Sequence, residues 1–202
     1  YYLPDKKGEI LNNDFFGGNL DGIREKLPYI AKLGVSIIYL SPIFEAYSNH
    51  KYDTGNYHKI DPMFGTENSL KKLIKEAKKY NIHVILDGVF SHTGDDSIYF
   101  NKYGRYDSIG AYQSKDSPYY DWYTFNNWND DYVSWWGIKT LPEVNENNES
   151  YINFITGKNG VINHWQKTGI MGWRLDVADE LPDEFIIALR NSIKKNNEDA
   201  LI

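Results

Sequence analysis

Apolar residues in the first half of the chain fall into two repeats of one design. Leu20, Ile23, Leu27, Ile30 and Ala31 recur at spacings of three and four, which predicts a helix over 19–34. Asn19 is a capping residue at its start, Gly34 ends it, and Pro28 weakens one of its turns. Val35 to Leu40 is then a short β-rich run stopped by Ser41-Pro42, the pattern of a buried parallel strand. The design repeats with Thr66 and Ser69 starting a helix whose Leu70, Leu73, Ile74 and Ala77 form one stripe between lysines. That helix closes at Tyr80-Asn81, and Ile82 to Val89 is the next strand.

Regularity returns after residue 150. Tyr151 to Lys167 carries Ile152, Ile155, Ile162 and Trp165 and predicts one helix interrupted by Gly157 and Gly160. Ile170 to Val177 predicts a third strand, and Pro182 to Lys195 a third helix with the proline in its first turn. Ala200-Leu201-Ile202 has the look of a fourth strand opening. Strands alternating with helices of this length predict βαβ units and a parallel sheet, either doubly wound or closed into a barrel. No Gly-x-Gly-x-x-Gly turn and no Walker lysine follows any of these strands, so nucleotide binding has no support in the sequence.

Between the repeats, residues 95–136 lose any period. Fourteen of these 42 residues are aromatic, from Tyr99 through Trp136. A stretch this long is not a connecting loop in a small domain, and it predicts an inserted subdomain. Flat amphipathic rings suit a hydroxyl-rich, partly apolar ligand, although a small aromatic core accounts for most of them.

Composition narrows the function classes. With 202 residues the chain can bury a core of its own. Its 22 Lys+Arg against 28 Asp+Glu give a net charge of −6, which argues against nucleic acid as a partner. It has no cysteine, hence no disulfide, thiolate nucleophile or sulfur-ligated zinc, which fits a reducing or an oxidising compartment alike and leaves localisation open, the cytoplasm slightly favoured. No apolar run is long enough to span a membrane. Tyr1 to Asp5 has neither the charged nor the apolar region of a signal peptide and no initiator methionine, so the expectation is a piece of a longer chain.

Ligands of parallel αβ folds meet the carboxyl ends of the strands. At one such end, Gly172-Trp173-Arg174-Leu175-Asp176 sets Gly172, Arg174 and Asp176 on one face. An arginine beside an aspartate favours the anion, as a carboxylate nucleophile requires, and a structural ion pair reads equally well from these residues. A second strand ends in Asp87 with His92 five residues on, a pair suited to holding hydroxyl groups or positioning another residue. His50, His58, His83 and His164 have no metal-ligand spacing. Between the first two strands, Asp53 and Tyr57 are four apart in a loop, a carboxylate and a ring available to a hydroxyl-bearing ligand.

Five ordered segments together resemble the α-amylase family of retaining glycosidases and transglycosylases. They are Gly34 to Phe44, the Tyr52-Asp53 to Tyr57 and Asp61-Pro62 to Thr66 loop, Asp87 to His92, Leu141-Pro142-Glu143-Val144-Asn145, and Gly172 to Asp176. Leu141 to Asn145 with Val177-Ala178-Asp179-Glu180 is similar to the neopullulanase, cyclomaltodextrinase and maltogenic amylase branch. The resemblance implies part of a (β/α)8 TIM barrel, about strands 2 to 4 and the start of strand 5, formed by 1–92 and 141–202, with 93–140 as an inserted B subdomain. It implies Asp176 as nucleophile with Arg174 as its partner, and Asp53, Tyr57, Asp87 and His92 around the sugar whose bond is cleaved. Glu180 faces the acceptor side.

The implied activity is hydrolysis or transfer at α-1,4 or α-1,6 bonds of starch, maltooligosaccharides, cyclodextrins or pullulan, by one carboxylate attacking the anomeric carbon and a second protonating the leaving oxygen. No cofactor is needed for that chemistry. Ser91 stands where many members carry an asparagine that binds calcium, which puts a structural calcium in doubt. The acid glutamate is expected at the end of the strand beginning near Ala200, so this chain alone is expected to be inactive on starch-like substrates and, with open sheet edges, to self-associate. The rival expectation is a non-catalytic glucan-binding scaffold on the same fold.

Overall fold

The computed structural model describes Pro4, residues 6–8 and residues 14–202; the other N-terminal positions assigned above to the barrel portion lie outside the described residues. Helix α1 runs Leu20–Lys32, with the Asn19 side chain accepting from the Gly22 N–H and Pro28 accommodated inside it. Strand β1 follows at Ile37–Tyr39. It is not the buried strand its apolar run predicts, because it lies at the edge of its sheet with Ile37 and Tyr39 exposed.

The loop after it holds structure that sequence pattern does not signal. Strand β2, Phe44–Ala46, pairs antiparallel with β3, Thr54–Ile60, across a register shift. Helix α2, Glu67–Ala77, opens with a capping box in which Thr66 and Ser69 each accept the other's backbone N–H. A 3-10 turn extends it to Tyr80, and Asn81 ends it in the left-handed conformation at φ 56°. Strand β4, His83–Gly88, then enters the sheet centre.

Between β4 and the next α-helix, short strands β5, Phe125–Asn127, and β6, Asp131–Tyr132, form a hairpin. The ring of Phe100 packs against Tyr112, Tyr123, Phe125 and Tyr132, so most of the tyrosines do serve a core. That core continues into the barrel portion through Tyr99 on Tyr57 and Trp122 on Tyr151.

The predicted helix over 151–167 is two helices. Helix α3, Glu149–Thr156, and helix α4, Val161–Gln166, are separated at Gly157–Gly160, where extended backbone at both glycines breaks the turn. Strand β7, Gly172–Leu175, and helix α5, Asp183–Asn196, complete the series. The main sheet has the order β1-β4-β7, all parallel, and Leu201 continues it by bridging Gly172. A Cβ on Gly172 would sit 2.0 Å from the Leu201 carbonyl oxygen, so that close backbone approach requires glycine. Helices cover the sheet, and buried Leu73, Ile74, Trp165, Phe185 and Leu189 fill the space between them. Among the described residues no helix is long and apolar enough to cross a membrane.

Candidate active site

Parallel register brings the site together. Asp87 on β4 is the register partner of Arg174 on β7, at the carboxyl ends of both strands. Arg174 Nη1 donates to Asp87 Oδ1 at 3.0 Å and Oδ2 at 3.2 Å, and to Asp176 Oδ1 at 2.6 Å. One guanidinium nitrogen therefore ties two carboxylates, confirming that Arg174 and Asp176 share a face. The Asp87 side chain is fully buried, while Arg174 keeps 41% of its side-chain surface. Asp176 is held from behind as well: its N–H donates to the Gly88 carbonyl, and the chain turns at Val177 with φ 42° before the Glu180 N–H bonds the Val177 carbonyl. A β-branched residue in that region is strained, and such strain gathers at functional sites.

Asp87 also accepts from the hydroxyls of Tyr39 and Tyr52, the latter at 3.3 Å. Burial raises its pKa, opposed by the donors Tyr39 and Arg174. For Arg174, burial works downward but the bonds to Asp87 and Asp176 outweigh it and push the pKa up. Burial and the Asp87 carboxylate push the Tyr39 hydroxyl up too, so it stays a donor. Asp87 thus acts inside the protein, fixing Arg174 and two tyrosines. It does not join His92 as a pair.

His92 is buried, its Nδ1 2.8 Å from Ser91 Oγ and its Nε2 3.1 Å from the Tyr52 carbonyl. A carbonyl only accepts, so Nε2 carries the proton and Nδ1 accepts from the serine in the neutral ring. Burial lowers the His92 pKa and favours that neutral form, against the opposing charge of Asp176. Its ring lies 5.3 Å from that of Trp135.

Asp53 is buried and accepts from the N–H of Ser48 at 2.9 Å and from its hydroxyl. The structure overturns a ligand-facing Tyr57. Its side chain is entirely buried, with the hydroxyl donating to the Val89 carbonyl at 2.6 Å and the Trp165 indole bonding the Tyr57 carbonyl. It reaches the site only by bracing the backbone of Val89 and His92. The tyrosine hydroxyls that reach the strand-end carboxylates are those of Tyr39 and Tyr52, which sequence reasoning missed because one sits in an apolar strand and the other beside a more conspicuous aspartate.

Glu180 is exposed, and the indoles of Trp135 and Trp136 donate to its two oxygens at 2.8 and 2.9 Å. The hydroxyl of Ser91 is engaged by His92, and no group of three or more His, Cys, Asp or Glu side chains placed to hold a metal ion exists among the described residues.

Carboxylates tied by one arginine at the carboxyl ends of parallel strands lie where αβ barrels place their active sites. Residues 4–199 match the family described as alpha amylase, catalytic domain, and the chain belongs to that family. It is 49% identical to an amylopullulanase of Thermoanaerobacterium saccharolyticum, over 91% of this chain and 16% of that protein. It is 34% identical to neopullulanase 2 of Thermoactinomyces vulgaris, over 95% of this chain and 32% of that protein. The cyclic α-maltosyl-(1→6)-maltose hydrolase of Arthrobacter globiformis superimposes with a TM-score of 0.83 at 32% identity, covering 95% of this chain and 43% of that one. The α/β fold is accordingly part of a (β/α)8 barrel, and the chain spans less than half the length of these relatives.

Proposed function

We propose that this chain carries the nucleophile half of a retaining α-glucan hydrolase or transglycosylase site. Asp176 attacks the anomeric carbon, Arg174 orients it, Asp87 positions Arg174, and Asp53 and His92 shape the wall around the sugar held there. Glu180 faces the acceptor. The observation that carries this reading is the single Arg174 nitrogen bridging Asp87 and Asp176 at the strand ends. The substrates are α-1,4- or α-1,6-linked glucans of the starch, maltooligosaccharide, cyclodextrin or pullulan kind, a reading supported by the similarity to pullulanases and to a cyclic maltosyl-maltose hydrolase. Retention requires a covalent glycosyl-enzyme and a second carboxylate acting as acid and then base.

The test uses 5-fluoro-α-glucosyl fluoride, whose fluoride leaves without a proton from that second carboxylate. The expected result is a mass increase of one glycosyl unit on the peptide holding Asp176, absent in Asp176→Asn. Labelling elsewhere, or none, rejects Asp176 as nucleophile; none together with maltooligosaccharide binding supports the non-catalytic reading. We also propose self-association along β1, the edge strand of the sheet among the described residues, where Ile37 is exposed and a groove lined by Ile23, Ile30, Ile38 and Pro42 runs beside α1.

A further inference from the structure

Trp136 is a large apolar side chain held out in water. It is 78% exposed and sits at φ 50°, ψ 27°, a left-handed backbone conformation that costs a bulky residue energy. Gly137 follows at φ 76°, so the tip of the insertion turns sharply there. Neither hydrophobic burial nor backbone preference accounts for a tryptophan at this position.

Its orientation is nonetheless fixed. The ring stacks on Trp135 with centroids 5.2 Å apart and planes 20° from parallel. Both indole N–H groups donate to Glu180, one to each carboxylate oxygen. Glu180 lies four residues beyond Asp176, past the turn at Val177, and the other face of this assembly reaches the site through Trp135 on His92. One face of the Trp136 ring is therefore used and the other is presented to solvent, next to the carboxylate assigned to the acceptor side.

We propose that the free face of Trp136 is a stacking platform for a glucose ring of the α-glucan beyond the scissile bond, with Trp135 and Glu180 as the residues that position it. This rests on the function proposed above. A pyranose ring offers an apolar face of C–H groups and a polar rim, which matches a flat indole bordered by a carboxylate. The indole N–H groups are already spent on Glu180, so the platform selects for ring shape and leaves the polar recognition to its neighbours.

The experiment is calorimetric titration of the protein with maltoheptaose, beside thermal unfolding, for the wild type, Trp136→Asn and Trp136→Phe. Asparagine tolerates the left-handed backbone, so it removes the ring without adding strain. The expected result is binding weakened about tenfold in Trp136→Asn, the size of a binding hot spot, with an unfolding temperature no lower than the wild type. Trp136→Phe, which restores a flat ring, is expected to recover most of the affinity. Unchanged affinity in Trp136→Asn overturns the platform and leaves the proposed function standing. A lowered unfolding temperature with affinity lost equally in both variants overturns it in favour of a structural role. No binding of maltoheptaose by the wild type rejects the proposed function and this inference together.

Discussion

Asp87 and Arg174 face one another across the β4–β7 ladder, and the arginine passes the contact on to Asp176, two residues along and just past the end of its strand. The buried carboxylate is therefore the anchor and the more exposed guanidinium the connector. Removing one partner of a buried pair strands the other without water.

Arg174→Leu is expected to destabilise the fold by about 3 kcal/mol, since it leaves the Asp87 carboxylate with only tyrosine donors in a desolvated place. Asp87→Asn removes the buried charge itself and is expected to cost less. Urea unfolding of both variants measures the difference, and equal losses would contradict the anchor-and-connector arrangement.

Stability is expected to fall from mildly acidic to alkaline pH. Burial pushes the pKa of Glu146 up to about 7, with Glu143 and Glu180 adding to it, and burial likewise raises Asp95 to about 6. A carboxyl group whose folded pKa is raised holds its proton more tightly in the folded state, so its contribution is fully present below the unfolded value and is lost as pH rises through the folded one. Unfolding temperatures at pH 5 and pH 8 should differ in that direction, and Glu146→Gln should flatten the difference. A wild type more stable at pH 8 would reverse the sign and refute the assignment.

Tyr57→Phe tests the placement of that hydroxyl inside the protein. Losing the donor to the Val89 carbonyl should destabilise by about 1 kcal/mol. Maltooligosaccharide affinity should change little, because the ring itself stays in place. A large loss of affinity at unchanged stability would put Tyr57 back among the ligand-facing residues.

β1, at the edge of the sheet among the described residues, is expected to pair with a second copy, giving a mass above that of one chain in light scattering. Ile37→Lys places a charge on this edge and should shift the population towards monomer. A wild type that stays monomeric at high concentration would count against the pairing.

Local chemistry made much of this protein legible in its sequence. Asn19 and Thr66 start their helices by side-chain bonds within one turn, and Asn81 ends one by its own backbone preference. The two-residue strand period put Arg174 and Asp176 side by side, because neighbours two apart share a face whatever the rest of the chain does. The strand β3, Thr54–Ile60, was not legible, since Gly55, Asn56, His58 and Lys59 carry no strand pattern and the element exists through pairing with β2. Whether Tyr57 or Tyr52 meets the site depended on which ring Val89, Phe90, Tyr99 and Phe154 enclose. The meeting of Asp87 with Arg174, 87 residues apart, and of Glu180 with two tryptophans of the insertion, came from parallel register and subdomain packing. Sequence fixes what each segment can do with its near neighbours; which distant side chains share a desolvated space is decided only when the whole chain has packed.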